Sequence, residues 1–156
     1  MPIDEAGFRR AMSQFASGIT IVTVEHEGTL YGMTVSSFAS VSLRPPLVLV
    51  CIETQLKTHS AIIGAGSFGV SILGHGQEAL STRFATRTDD RFAGLELRRG
   101  ELGTPLLAKA LATIECRLHA QLPGGDHSIF VGEVLDAVVT ESDPLLYFRG
   151  GYRELR

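Results

Sequence analysis

A chain of 156 residues is long enough to bury one hydrophobic core, and its formal net charge of −3 gives no broad cationic field for nucleic acid or an anionic membrane surface. Hydrophobic residues make up 44% and charged residues only 20%, so one domain over 1–156 is expected, with apolar surface left for a subunit interface. The start Met1-Pro2-Ile3-Asp4-Glu5 lacks a basic, apolar leader, and no apolar run approaches the ~20 residues of a membrane-spanning helix, so a cytoplasmic protein outside the membrane is expected.

Asp4 is placed to cap a first helix in which Phe8, Met12 and Phe15 recur at helical spacing, ending at Gly18. Ile19 to Val24 and Thr29 to Phe38 are rich in β-branched and aromatic residues and flank the turn-like Glu25-His26-Glu27-Gly28, which predicts a hairpin. After Pro45-Pro46, the continuous apolar run Leu47 to Ile52 predicts a central strand covered on both faces. Short helices are expected over Thr58 to Ile63 and Gln77 to Ala85, with a strand over Phe68 to Leu73 between them and a charged loop from Arg87 to Arg91 after them. From Ala112 to Leu122 apolar and polar residues alternate strictly, which predicts one core face and one wet face that carries Thr113, Glu115, Arg117, His119 and Gln121. Pro123-Gly124-Gly125-Asp126 turns this strand into a long antiparallel partner, Ser128 to Val139, and Leu145 to Phe148 adds a last short strand. The fold class is therefore mainly β with short helices, a closed or partly open barrel. The two cysteines, Cys51 and Cys116, lack metal-like or redox spacing and are expected to be buried, reduced thiols.

Gly64-Ala65-Gly66-Ser67-Phe68-Gly69 matches the spacing of a dinucleotide-binding turn, but that mechanism needs a strand before the glycines and a helix after them. Here the order is reversed, which predicts a plain helix-to-strand turn. Thr34, Ser36 and Ser37, with Met33 and Val35 among them, put three hydroxyls into an otherwise apolar strand, so either a polar ligand or water should meet them. Lys57 and Thr58 stand at a helix start, where N–H groups, a hydroxyl and an ammonium can hold a phosphate. His127 follows the Gly125-Asp126 turn and can reach the rim of a barrel, where it can position a substrate or manage a proton. Nucleophile elbows, metal-binding helices and phosphate-binding loops of the nucleoside triphosphatases are all lacking.

Taken together, Phe15 to Thr23, Gly32 to Phe38, Ser42 to Val48, Arg83-Phe84-Ala85, Asp90-Arg91-Phe92, Gly125-Asp126-His127, Val131 to Val134 and Tyr147 to Tyr152 resemble the short-chain flavin reductase family in order and spacing. The resemblance implies a homodimeric FMN-binding split β-barrel that transfers hydride from NADH or NADPH to FMN or FAD and supplies reduced flavin to a partner oxygenase. By that resemblance, Met33, Thr34, Val35, Ser36 and Ser37 bind the flavin, backbone at Cys51 and Ile52 lines it, and Lys57 and Thr58 face its phosphate. Phe84 packs beside it, and His127, the catalytic candidate, borders the nicotinamide place together with Tyr152. Arg44 stands where the family often has an acidic residue, and 94–104 matches no family feature. The alternatives are a non-catalytic flavin-binding barrel and an oxidase that retains its flavin.

Overall fold

A computed structural model describes all residues from Met1 to Arg156. In chain order the elements are α1 (Glu5–Met12), β1 (Ser17–Gly18), β2 (Thr20–His26), β3 (Thr29–Val35), β4 (Phe38–Ser42), β5 (Leu47–Glu53), α2 (Lys57–Ala65), β6 (Ser67–Ile72), α3 (Glu78–Ala85), β7 (Leu97–Arg99), β8 (Pro105–Leu107), β9 (Ala112–Gly124), β10 (His127–Val139), β11 (Leu146–Phe148) and β12 (Gly151–Arg153). Seven strands form one antiparallel sheet in the order β3-β2-β6-β9-β10-β5-β4, with small sheets β1-β11-β12 and β7-β8 beside it.

The end strands of that sheet, β3 and β4, are joined by Ser36 and Ser37 alone. Three Cα steps from Val35 to Phe38 span at most about 11 Å, so the two edges must approach each other and the sheet must curl. Register shifts in β10 at Val131/Gly132 and Val134/Asp136, and in β4 at Ser40/Ser42, supply the local bends. The result is the expected mainly β architecture, a barrel left open at its seam. Expected as one strand from Thr29 to Phe38, this segment is instead cut at Ser36-Ser37, because Phe38 starts a strand on the opposite sheet edge.

Inside the curl lies one core, made by Val22, Val24, Val50, Ile52, Phe68, Val70, Cys116 and Phe130 and closed by Ala61 and Ile62 of α2. A second core on the outer face of β2 gathers Ile19, Ile21, Leu73, Phe84, Leu107 and Leu145. The strands covered on both faces are therefore β2 and β6; in β5 only Val48, Val50 and Ile52 are buried, while Leu47, Leu49 and Cys51 are partly exposed. On β9 the face expected to be wet is so only in part: Arg117, His119 and Gln121 are exposed, but Thr113 and Glu115 are buried, because β7, β8 and the loop between them, in a stretch with no readable pattern, cover that end.

Helix α1 is capped as expected, with the Asp4 carboxylate accepting the Gly7 N–H at 2.8 Å, but it ends at Met12 and packs on nothing: Phe8, Met12 and Phe15 are all more than half exposed. The Gly64-to-Gly69 stretch is the helix-to-strand turn expected, since α2 ends with Gly66 in the left-handed conformation at φ 69° and β6 starts at Ser67. No helix is long and apolar enough to cross a membrane.

Candidate functional site

At the seam between Ser36-Ser37 and the end of β5, a cavity of about 200 Å³ is lined by Met33, Thr34, Val35, Ser36, Ser37, Cys51, Glu53, Leu56 and His127. The sheet order brings these together: β3 ends at one edge, β5 runs near the other, and β10 pairs with β5 so that His127 lies opposite Glu53. Seven of the sequence-designated residues thus share one wall. Their hydroxyls are not equivalent. Thr34 Oγ1 donates to the Ser81 carbonyl at 2.6 Å, and Ser37 Oγ donates to the Cys51 carbonyl at 3.1 Å while accepting the Cys51 N–H. Ser36 is exposed and its hydroxyl has no protein partner, so among the three it alone keeps a free hydroxyl proton for a ligand.

His127 Nδ1 lies 2.6 Å from Asp126 Oδ1. The carboxylate keeps a proton on Nδ1, which leaves Nε2 as the nitrogen available to a ligand. In return, the hydrogen bond from His127 and its charge hold the Asp126 carboxyl below the ordinary carboxylate range.

Met33 and Leu56 also border a larger chamber of about 600 Å³, bounded by Leu30 to Met33, Lys57 and Thr58 of α2, and the loop from Arg87 to Phe92. Lys57, Arg87 and Arg91 make no direct ion pair, so three unpaired cations share the chamber with two carboxylates, Asp89 and Asp90. Arg91 is built in: Nε and Nη2 donate to the Thr86 carbonyl at 3.0 and 2.6 Å, and Nη1 donates to the Gly32 carbonyl at 2.6 Å. The cap position of α2 is Leu56, which offers no side-chain hydrogen bond, so its first N–H groups are left for water or an anion.

Within this chain the side chains of three designated residues, Phe84, Ile52 and Tyr152, lie outside the lining of the slot. Phe84 is buried under β3, edge-on to Phe92 at 5.1 Å, in the second core. Its ring supports Gly32, where an added Cβ would lie 2.7 Å from Phe84 and 2.8 Å from Phe92, and it borders no cavity of the site. Ile52 is fully buried, since alternation along β5 turns it inward and leaves Cys51 and Glu53 at the slot. Tyr152 lies on β12, away from His127, and its hydroxyl donates to Ser81 Oγ at 2.9 Å; it touches the slot only through Ser81, whose carbonyl holds Thr34. Conversely, Glu53, Leu56, Arg87 and Arg91 line the site without having been singled out.

The thiols differ as well. Cys51 is half-buried at the slot, whereas Cys116 is fully buried, and burial, reinforced by the Glu115 charge, pushes its thiol up to about 12. A disulfide reagent is expected to modify one thiol per native chain and two after unfolding, counted by released chromophore. Two reactive thiols in the native state would contradict the packing of Cys116.

A polar slot whose one charged lining residue is Glu53, beside a chamber with more cations than carboxylates, fits a molecule with a flat heteroaromatic end and a phosphate end. Residues 12–156 match the model of the flavin reductase like domain. The chain is 45% identical over 151 residues to the reductase component of 4-nitrophenol 4-monooxygenase/4-nitrocatechol 2-monooxygenase from Rhodococcus opacus, covering 97% of this chain and 81% of that one. It is 43% identical over 149 residues to the reductase component of 4-hydroxyphenylacetate 3-monooxygenase from Thermus thermophilus, covering 95% of both. Among solved structures, the NADH:FAD oxidoreductase SgcE6 of Streptomyces globisporus, in complex with NAD and FAD fragments, superposes with a TM-score of 0.93 at 39% identity, over 98% of this chain and 93% of that one. The chain therefore belongs to the flavin reductase like domain family, and its place there makes it an oxidoreductase that reduces flavin with a reduced nicotinamide.

Proposed function

We propose that this chain, as one catalytic domain over 1–156, binds FMN or FAD as a substrate in the slot and chamber, reduces it with NADH or NADPH, and releases it to an oxygenase component. The observation that carries the reading is a polar slot, with Glu53 its one charged lining residue, bordering a chamber that holds three unpaired cations. The similar proteins named as monooxygenase reductase components, and one named an NADH:FAD oxidoreductase, support the oxygenase partner and make NADH and FAD the first pair to assay.

When bound, the flavin supplies a ring that accepts hydride from nicotinamide, so the protein needs no nucleophile and contributes binding and orientation. Ser36 is assigned the donor role toward the ring's polar edge, and Ser37 holds the β5 end that forms the floor. Glu53 makes the slot unfavourable for a phosphate, while Lys57, Arg87 and Arg91 attract it into the chamber, so charge sets which end of the ligand goes where. His127 borders the slot on the side left for nicotinamide.

A homodimer is part of the same reading. The α1 face of Phe8 and Met12 with Phe15, and the half-exposed β5 residues Leu47 and Leu49, are apolar surface that a second copy would cover. The reading puts the enzyme in the cytoplasm, and two unpaired thiols support that compartment. Sedimentation should give twice the chain mass; a monomer would remove the dimer but not the reductase.

Anaerobic mixing with FMN or FAD and either reduced nicotinamide tests the activity, because loss of the flavin's yellow absorbance reports its reduction. A protein that binds flavin without bleaching it is a non-catalytic carrier. The chamber is tested by Lys57→Gln combined with Arg87→Gln, which should raise the flavin dissociation constant about tenfold or more and flatten its salt dependence. Flavin fluorescence quenching measures both, and an unchanged constant would move the phosphate elsewhere.

A further inference from the structure

We infer that His59 is a positioning residue for hydride transfer, acting through Ser128 to hold the phosphate-side helix and the nicotinamide-side hairpin in fixed relation; the inference rests on the flavin-binding reading above. His59 is buried on α2, directly after Lys57 and Thr58, and its Nε2 lies 2.7 Å from the Oγ of buried Ser128. Ser128 is the neighbour of His127 on β10. This contact is the one side-chain hydrogen bond that α2 makes, so it is the polar tie between the element that carries Lys57 and the strand that carries His127.

The tie is held at both ends. Gln121 Nε2 donates to Ser128 Oγ at 3.3 Å, which keeps the serine oxygen between Gln121 and His59 Nε2. The ring of Phe130 stands 5.0 Å from the imidazole, tilted by 56°, and fixes the plane in which Nε2 faces the serine. Buried here, the imidazole needs a polar partner, because leaving it unpaired would be costly, and Ser128 supplies it. The functional consequence follows from geometry: one end of the ligand is anchored by α2 and the other is read at the His127 turn. A small slip between the two elements misplaces the hydride-donating carbon relative to the accepting ring nitrogen without removing any contact to the phosphate.

The experiment uses the full chain, with FAD and NADH under anaerobic single-turnover conditions, and measures the bleaching rate beside the FAD dissociation constant. His59→Phe and Ser128→Ala are each expected to slow bleaching about fivefold to tenfold, with less than about a twofold change in FAD binding. The double variant should be no slower than the slower single one, because both break the same bond. His59→Gln, whose amide reaches Ser128, should recover most of the rate. Ser128→Ala removes a single oxygen atom and keeps the test open should His59→Phe fold poorly. Bleaching within about twofold of the unaltered protein in both single variants, even with lower stability, overturns the inference. A double variant slowed by the product of the single effects also overturns it. If the unaltered protein bleaches no flavin, the proposed function itself falls.

Discussion

Glu115→Ala is expected to destabilise the fold by about 3 to 5 kcal/mol, a large fraction of what a domain of this size has to lose. Glu115 is fully buried on β9, opposite Gly69 of β6, and its carboxylate reaches over to the loop after β7. Both oxygens accept the Leu102 N–H, at 3.1 and 3.0 Å, and Oε2 also accepts the Thr104 N–H at 3.1 Å. No cation shares the site: the nearby Arg98 is committed to Asp136 at 2.9 Å and to Thr113 at 2.9 Å. Gly100 closes over the carboxylate so tightly that an added Cβ would lie 2.3 Å from it. Removing the side chain therefore strands two backbone donors and opens a void beneath them, at about 1 to 3 kcal/mol for each group left unsatisfied. Urea unfolding should show the midpoint fall at unchanged slope, while the folded fraction keeps its flavin affinity, because Glu115 lines neither cavity. A loss below about 1 kcal/mol would mean that water takes the carboxylate's place.

This residue also shows where the sequence was legible and where it was not. Periodicity found β9 and β10 and the turn between them almost to the residue, because an alternating strand next to a glycine turn carries its own local signal. It misassigned Thr113 and Glu115 because which face is wet depends on what packs there, and their cover comes from β7, β8 and their loop, two three-residue strands with no readable pattern. The same limit explains β5, whose unbroken apolar run reads as doubly covered although one face is half-exposed within a single chain.

For the site, the slot was largely legible, since Thr34, Ser36, Ser37 and His127 are polar residues placed at strand ends or turns. Long-range placement was not. Phe84 and Tyr152 are aromatic residues near cofactor-like motifs, but packing under Gly32 and a hydrogen bond to Ser81 decide where they go. Arg87 and Arg91 were visible as charges on a loop, and only the carbonyls of Thr86 and Gly32 fix the second of them on the chamber wall.

His127→Ala is expected to slow flavin bleaching by about a hundredfold while changing the flavin dissociation constant by less than about twofold. The division follows from position: His127 stands at the rim of the slot on the strand that pairs with β5, whereas the free hydroxyl of Ser36 and the cations of the chamber lie on other elements. Asp126 gives the test a second, independent readout. The bond from His127 and its charge hold the Asp126 carboxyl below its ordinary range, so its contribution is complete above the unfolded carboxylate's pKa and is lost only as pH falls through the lowered native one. In His127→Ala both causes disappear, and the Asp126 carboxyl should titrate in the ordinary carboxylate range, observable as a shift of its side-chain carbon resonance with pH. Asp126→Asn keeps the imidazole but replaces the carboxylate that holds the Nδ1 proton, so it should slow bleaching less than His127→Ala does. A His127→Ala protein that bleaches flavin at the unaltered rate would show that nicotinamide approaches without this ring, and would leave orientation to Ser36 and the β5 end alone.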